Sequence, residues 1–283
     1  MERKKSFARG AGDGELAGAR ERIKKYLPEG ILVYHRQYHR WKTERRYLKS
    51  IRTSLRQIVE KGGYLVQGGI FRGMRHIGVA TGSVLTPKLI GSYEEELHDV
   101  FRFIFGQPYE VIVDIGCAEG YYTVGLARCF PQVRVYAFDS NRRARKLTAQ
   151  MARLNRVEDR VVIFGACSQE DLKRIAGRHR TFILCDCDGY EMELLQPECV
   201  EGLRYCDILV ELHEHLIPNA AEVMTRRFEA THGITRICQA ERDPGNYPVL
   251  EGLDLEDRLA ALAEWRPPGQ QWLFLRSKNL PGA

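Results

Sequence analysis

Residues 185–190 read CDCDGY, so two cysteines and two aspartates alternate within six residues. An EF-hand calcium loop with Asp188 at its fifth position would need ligands at Leu184 and Leu195, which carry no side-chain oxygen. A structural zinc site needs four ligands, and Cys-x-Cys alone supplies two. The stretch therefore predicts neither a calcium loop nor a zinc site, and the sequence assigns no metal ligand here.

Side chains alternate along a strand, so Asp186 and Asp188 share one side of this stretch and the two cysteines share the other. The apolar run TFIL precedes them, which places both aspartates where a buried strand ends. Carboxylates at that place suit orienting or deprotonating a substrate, holding a divalent ion with a diol substrate, or capping the next helix. We favour the first task, with Asp186 as a base or orienting residue and Asp188 as a substrate contact.

A second group of ionisable residues ends the next apolar run, in the sequence VELHEH. Alternation puts Glu211, His213 and His215 on one side. Histidine titrates near neutrality and is the usual residue for removing a hydroxyl proton. His213 is therefore the first candidate for a general base, and Glu211 for a substrate contact. The alternatives are metal ligation and a pair of surface histidines.

The elements that position these residues alternate between apolar runs and helical patterns. Runs that are apolar throughout and separated by helices indicate a parallel sheet covered on both faces. The sequence thus predicts an α/β, doubly wound, Rossmann-like seven-stranded sheet whose last strand is antiparallel. The predicted strands are 111–116, 133–139, 160–166, 181–188, 207–214, 234–240 and 271–277, and the predicted helices are 120–129, 141–155, 169–176, 191–203 and 219–230.

The part of the chain before this alternation has a different pattern. We predict a helical N-terminal extension with short strands over residues 1–91, and a main domain over 92–283 with a Pro/Gly-rich insertion at 241–270. The predicted elements before the first strand are helices at 14–27 and 37–61, short β-like pieces from 64 to 91, and a helix over 92–106 with Ser92 as its N-cap.

Composition limits the class of protein. The chain has 283 residues, of which 44% are hydrophobic and 28% charged, as in ordinary globular proteins. No run is apolar enough to span a membrane, and nothing marks the N-terminus for secretion. The eight cysteines show no CxxC spacing and several fall in predicted buried strands, so we expect reduced cysteines and a cytoplasmic protein.

Charge is concentrated at the N-terminus. Residues 1–61 hold 17 lysines and arginines against 7 acidic residues, whereas the rest of the chain has a slight acidic excess. The simplest interpretation is a solvated helical face. A basic segment also attracts nucleic acid, an anionic substrate or an acidic partner surface. A homo-oligomer that forms through the predicted N-terminal helices is a further alternative.

The turn after the first predicted strand, residues 114–120, reads DIGCAEG. In an open parallel sheet, ligands bind beyond the carboxyl ends of the strands. The dinucleotide fingerprint fails, because Asp114 stands where its first glycine belongs, and Glu119 would repel a pyrophosphate. An acidic residue followed by two glycines suits a ligand that carries an ammonium group and a sulfonium.

The ends of the next two strands extend this prediction. A carboxylate at Asp139 is placed to accept hydrogen bonds from both ribose hydroxyls, and Ala166 and Cys167 are placed to face an adenine. Together these features predict a site for S-adenosylmethionine. The predicted cofactor contacts are Asp114, Gly116, Cys117, Ala118, Glu119, Gly120, Asp139, Ser140, Ala166 and Cys167.

The stretches DIGCAEGYYT, AFDSN, CDCDGYEMELL and LVELHEH resemble class I S-adenosylmethionine-dependent methyltransferases, most of all the FkbM-type family. That family has an Asp-x-Gly-x-x-x-Gly-Tyr-like first motif and an Asp-x-acid-Gly-x-Glu segment, which residues 186–191 match. The resemblance is good over about 111–215 and implies an O-methyltransferase. The chain departs from the family pattern at Asp139, where Glu is usual, and at residues 117–119, where Ala-Asn-x is usual. The second departure leaves the substrate open.

These observations lead us to expect O-methylation of a hydroxyl on a small molecule or sugar. The alternatives are an RNA methyltransferase, suggested by the basic N-terminus, and a cofactor-binding scaffold without catalysis. Tyr93 and Glu94 are expected to fold over the amino-acid end of the cofactor. Asn246 and Tyr247, in the insertion, are expected to contact substrate as part of a lid.

Overall fold

The computed structural model describes side chains from residue 45 onward and the backbone of residues 29–176, 179–267 and 269–279. The first described helix, α1, spans Glu29–Gly62 and so begins before the predicted position. The helix predicted at 14–27 lies outside the described residues. No helix in the described part of the chain combines the length and apolar character needed to span a membrane.

The chain forms two compact units, residues 1–50 and residues 51–283. The second unit contains the sheet together with residues 51–91, because Val66, Phe71 and Met74 are buried in the same hydrophobic cluster as strand residues. The division between the units therefore does not coincide with the predicted boundary after residue 91.

Seven strands form one mixed sheet in the second unit. Continuous apolar runs build its centre, and every residue of β1, β4 and β5 is buried. The order is β3-β2-β1-β4-β5-β7-β6, with β7 antiparallel to both of its neighbours and the other pairs parallel. The predicted Rossmann-like sheet is confirmed. The strands are β1 Val111–Ile115, β2 Arg134–Phe138, β3 Val161–Phe164, β4 Thr181–Cys185, β5 Cys206–Leu212, β6 His232–Cys238 and β7 Gln271–Ser277.

Helices connect the strands and pack on the sheet, whose two faces are each covered by a hydrophobic cluster. From β1 the chain proceeds outward to β2 and β3, then returns to add β4 and β5 on the other side of β1. The strand order thus reverses between β1 and β4, which is where ligands bind in open α/β sheets. The helices after α1 are α2 Leu85–Ile90, α3 His98–Phe105, α4 Tyr121–Cys129, α5 Arg142–Asn155, α6 Gln169–Ile175, α7 Glu191–Leu194, α8 Ala220–Phe228 and α9 Leu255–Leu262.

The short strands predicted between 64 and 91 are wrong. Within this segment the structure has one isolated antiparallel bridge, Leu65 to Arg75, then turns and helix α2. Glycines with positive φ interrupt the backbone repeatedly, for example at Gly69 and Gly73, which prevents a regular strand. The apolar residues that produced the strand-like pattern are separate side chains of a loop that pack into the hydrophobic core.

Two predicted helices are shorter than expected. Ser92 does not cap a helix, because Glu94 adopts a left-handed conformation (φ 49°) and a short 3₁₀ turn precedes α3. Helix α7 ends at Leu194, three residues before Pro197, because a proline excludes helical backbone from the residue before it. None of the eight cysteines, all of which lie in the described residues, forms a disulfide.

Candidate functional site

A cavity of about 610 Å³ lies where the carboxyl ends of β1, β2, β3 and β4 meet, at the reversal of strand order. Its volume is typical of small-molecule sites, which span roughly 300–1,000 Å³. The residues lining it include eight of the ten predicted cofactor contacts: Asp114, Gly116, Cys117, Ala118, Asp139, Ser140, Ala166 and Cys167.

The turn after β1 brings the backbone close to the next strand of the sheet. Gly116 has φ 89°, and a Cβ built on it would lie 1.6 Å from the carbonyl oxygen of Asp186. The N–H groups of Gly116 and Cys117 both donate to the carbonyl of Phe138, at 2.9 and 3.0 Å. Only glycine fits this position, so the turn and the ends of β2 and β4 form one rigid wall.

Asp139 ties this turn to the end of β2. Its two carboxylate oxygens accept hydrogen bonds from the N–H of Ala118 at 2.9 Å and from the N–H of Asn141 at 2.7 Å. Each oxygen retains a lone pair, so the carboxylate has capacity for further donors from a ligand in the cavity. Phe138, Ala166 and Leu194 add apolar surface to the lining of the cavity.

Asp114 is the buried acidic group of the first turn. Its side chain is 2% exposed and accepts a hydrogen bond from the hydroxyl of Thr123. Burial raises the pKa of Asp114 to about 7; Thr123 opposes this shift, and the carboxylates of Asp186 and Asp139 add to it. A cationic ligand group near Asp114 would favour its ionised form.

Glu119 and Gly120 differ from the prediction, because neither lines the cavity. The carboxylate of Glu119 is fully buried and pairs with Lys88, which the sequence did not single out. Burial alone would raise the pKa of Glu119, but Lys88, His76 and the N–H of Thr81 together lower it to about 2. The expected repulsion of a pyrophosphate by Glu119 is therefore offset by Lys88, and Asp114 is the residue of this turn that disfavours a dinucleotide.

Lys88 itself lines the cavity. Its ammonium donates to Ser83 at 2.7 Å and to Glu119, and it lies 4.7 Å from the ring centroid of Tyr93. No local pattern marks this residue, because its contacts depend on the packing of helix α2 beside the β1 turn.

A second group of ionisable side chains gathers where β4 and β5 end. The Nε2 atom of His213 lies 3.5 Å from Asp186 and 3.7 Å from Asp188, and its Nδ1 atom lies 3.0 Å from Glu191. Asp186 and Asp188 both line the cavity, but they follow the end of β4 at Cys185 and Asp188 has left-handed backbone (φ 54°), so the predicted strand alternation does not extend to them. Glu211 joins the group within 4.8 Å of both Asp186 and His213.

The pKa values of this group are shifted by mutual contact. Desolvation and then the Glu94 carboxylate raise the pKa of Asp186 to about 6, against the opposing effects of His213 and Arg266. Burial, followed by Asp186, holds the pKa of Glu211 well above its usual range. Burial tends to lower the pKa of His213, but Glu191 and the aspartates raise it overall.

Arg266, from the insertion, neutralises part of this negative charge. Its guanidinium pairs with Glu94 and Glu211 and, at 3.0 Å, with Glu264. It also lies 5.4 Å from the ring centroid of Tyr93, which lines the cavity. Arg266 was not predicted as a site residue, because no local pattern links an arginine in a Pro/Gly-rich segment to an acidic residue more than fifty positions earlier.

The other expected contacts have mixed outcomes. Tyr93 lines the cavity, whereas Glu94 is engaged by Arg266 and by the hydroxyl of Tyr122. Asn246 and Tyr247 are not among the cavity-lining residues. Tyr247 donates its phenol hydrogen bond to Glu95 at 2.5 Å, so it fastens the insertion to the segment before α3.

Comparisons with known proteins give similarity at the level of structure. No family model matches the chain, and no curated protein matches it. The O-methyltransferase from Bacillus cereus in complex with SAH is 12% identical, with 81% of this chain and 91% of that chain covered and a TM-score of 0.45. The O-methyltransferase TomG from Streptomyces achromogenes, in complex with SAM, is 13% identical (66% and 81% covered, TM-score 0.44). Precorrin-6y C5,15-methyltransferase from Geobacter metallireducens is 11% identical (64% and 88% covered, TM-score 0.43).

Proposed function

We propose that the chain is an S-adenosylmethionine-dependent methyltransferase. The observation that carries this proposal is the cavity at the reversal of strand order, where the Gly116 turn, Asp114 and Asp139 meet. Asp139 suits the ribose hydroxyls, and the apolar wall of Phe138, Ala166 and Leu194 suits an adenine. Asp114 suits the ammonium group of the methionine moiety.

The acceptor in this proposal is a hydroxyl of a small molecule or sugar, in line with the FkbM-type resemblance. Its oxygen attacks the methyl carbon, and the carbon–sulfur bond breaks with the electron pair remaining on sulfur. The hydroxyl proton passes to an ionisable group at the end of β4 or β5, for which the sequence favoured His213 and then Asp186. Holding donor and acceptor in line supplies roughly 7–11 kcal/mol of the rate enhancement.

Asp139→Ala tests donor binding. The substitution removes a carboxylate that organises the β1 turn and that would bind the ribose, so the Kd for S-adenosylmethionine should rise about 10- to 100-fold. Isothermal titration of the purified protein measures this change. Asp159→Ala is the matched control, because this exposed aspartate sits just before β3, at the opposite end of the strands. Equal affinities of the two variants would contradict the assignment of the cavity.

The pH dependence of donor binding tests Asp114. A bound ammonium group favours the carboxylate, so below the pKa of about 7 binding must displace a proton. The affinity for S-adenosylmethionine should therefore rise about tenfold per pH unit as pH increases toward 7, and level off above it. Asp114→Asn keeps an acceptor for Thr123 but cannot ionise, so its titrations between pH 5.5 and 7.5 should show a slope smaller by about one proton. An unchanged slope would remove Asp114 from the donor site.

A further inference from the structure

We propose that RNA docks by its phosphate backbone on a basic surface, formed by the solvent-facing side of α5 and by the chain segments packed beside the C-terminal end of that helix. The residues of this surface neither line the cavity nor belong to the ionisable group at the ends of β4 and β5. The choice of RNA over DNA rests on the proposed function, but binding to the surface is measured without the methyl donor.

Helix α5 contains basic residues without any acidic residue to balance them. Its 14 residues, RRARKLTAQMARLN, include five basic residues and no acidic one. One of the five, Arg145, donates hydrogen bonds to the carbonyl groups of Asp139 and Ser140 and so helps to hold the turn after β2. The other four are exposed to solvent: Arg142, Arg143, Lys146 and Arg153.

The helical period brings these cations together on the solvent-facing side of α5. Arg142, Lys146 and Arg153 occupy positions i, i+4 and i+11, opposite the side of the helix that is buried in the core. At 1.5 Å per residue they extend over roughly 16 Å. Arg142 and Arg143 also lie in the first turn, where the helix dipole disfavours a cation and favours an anion. Helix stability therefore does not account for these two arginines, whereas binding of a polyanion does.

Two neighbouring segments extend the basic surface at the C-terminal end of α5. The side chain of Asn155 accepts a hydrogen bond from the N–H of Arg75 at 2.9 Å and donates one to its carbonyl at 2.7 Å, which fastens the turn at residues 72–75 to the helix. The guanidinium of Arg128, at the end of α4, lies 3.9 Å from a Cβ built on Gly73 in the same turn. Four more exposed cations thus join the surface: Arg72, Arg75, Arg128 and Arg156.

The eight cations of the basic surface are not neutralised by the protein. Within the described part of the chain, none of their side chains forms a hydrogen bond or an ion pair. Asp159, just beyond α5, pairs with Arg160 instead. Helix α6 shows the contrast, because there Glu170 pairs with Lys173 at 3.7 Å and with Arg174 at 3.9 Å. The basic surface therefore attracts an external anion.

The chemistry of the basic surface favours a phosphate backbone over an acidic protein or a membrane. Seven of its eight cations are arginines, whose guanidinium groups bind phosphate through two parallel hydrogen bonds. In α5, whose side chains are all described, the one exposed large apolar residue is Leu154, at 37%. Protein interfaces and membrane-binding helices need a larger apolar area. Residues 62–283 have a slight acidic excess overall, so the positive charge is local to this surface.

The basic surface adjoins the cavity at the N-terminal end of α5, because the N-cap residue Asn141 lines the cavity. A strand bound along α5 therefore extends to the rim of the proposed donor site. The proposed reaction needs an acceptor hydroxyl close to that site. The sugars of RNA carry a 2′-hydroxyl that those of DNA lack, so the nucleic acid that suits both the surface and the reaction is RNA.

Fluorescence anisotropy of a labelled single-stranded RNA, titrated with the protein at several salt concentrations, tests the basic surface. We expect the wild-type affinity to fall steeply as salt increases. A triple variant with Arg142→Gln, Arg143→Gln and Lys146→Gln should bind RNA at least about tenfold more weakly. The slope of log affinity against log salt should become shallower by about 2, because each phosphate contact on a single strand contributes about 0.7.

The matched control removes the same charge from another part of the protein. Lys173→Gln, Arg174→Gln and Arg204→Gln replace three exposed cations that each pair with an acidic residue. This triple variant should bind RNA within about twofold of wild type, because salt screens charges that lie away from the bound strand. Equal weakening by the two triple variants would mean that only net charge matters, and would overturn the assignment of the surface.

Two competitors test the identity of the partner. Polyglutamate at the same concentration of charges should displace the labelled RNA poorly, since it lacks phosphate groups. Equally effective displacement would assign the basic surface to an acidic protein and overturn RNA. A DNA strand of the same sequence should compete no better than unlabelled RNA, and tighter binding of DNA would overturn the choice of RNA.

Titration of the same samples with S-adenosylmethionine separates this proposal from the proposed function. Donor binding by the triple variant of α5 shows that the variant is folded, so its loss of RNA binding supports the basic surface. Wild-type protein that binds the donor but no RNA overturns the basic surface and leaves the methyltransferase proposal intact. Wild-type protein that binds RNA but no donor supports the basic surface and contradicts the methyltransferase.

Discussion

Gly116→Ala is expected to abolish binding of S-adenosylmethionine and to lower the free energy of unfolding by on the order of 3 kcal/mol. The residue has φ 89°, and the added Cβ would lie 1.6 Å from the carbonyl oxygen of Asp186. The backbone of the turn must therefore move away from β4, which dismantles the wall of the cavity. Urea denaturation and isothermal titration measure the two effects.

Gly165→Ala is the matched control for this substitution. Gly165 follows β3 at the same edge of the sheet, but a Cβ there has no heavy atom within 4 Å. Its free energy of unfolding should change by less than about 1 kcal/mol, and donor binding should be retained. A Gly116→Ala protein as stable as Gly165→Ala would contradict the close approach of the β1 turn to β4.

The second large effect is expected at Lys88. The ion pair between Lys88 and Glu119 is buried, since their side chains are 3% and 0% exposed. Lys88→Met therefore leaves a buried carboxylate without its lysine partner. Removing one partner of a buried pair costs about 3–5 kcal/mol, so the free energy of unfolding should fall by that amount. Because Lys88 also lines the cavity, donor binding should weaken in parallel. Chemical denaturation monitored by circular dichroism gives the stability.

A double variant tests whether the unpaired carboxylate of Glu119 causes the loss of stability in Lys88→Met. Lys88→Met combined with Glu119→Gln removes both charges, so it should recover much of the stability lost in the single variant. Lys173→Met, which removes one of the two basic partners of Glu170 from a largely exposed pair at 3.7 Å, should change stability by less than about 1 kcal/mol. A double variant no more stable than Lys88→Met alone would show that the buried carboxylate is not the source of the loss.

Much of the sheet was predictable because its signal is local. Strands such as β1 and β4 are buried at every position, apolar at all but one, and bounded by turn residues, so both their type and their parallel pairing follow from the sequence. The tight turn at Gly116 was predictable for the same reason, since a glycine directly after a buried strand indicates one, but its contact with the distant Asp186 was not.

The errors come from residues whose environment depends on distant parts of the chain. Phe71 and Met74 gave the same apolar signal as a short strand, although each anchors a loop to the core. The sequence placed Glu119 in the ligand site but did not show that Lys88 draws it away from the cavity. Arg266 pairs with Glu94 and Glu211, which are far from it in the chain. Such contacts form only in the folded protein, so no periodic pattern in the sequence predicts them.

Isothermal titration of wild-type protein with S-adenosylmethionine and, separately, with NAD distinguishes a methyl-donor site from a dinucleotide site. We expect one equivalent of the methyl donor to bind and NAD not to bind, because Asp114 replaces the first glycine of the dinucleotide fingerprint. Binding of NAD in place of the methyl donor, or of neither compound, would contradict the assignment of the cavity and the chemistry derived from it.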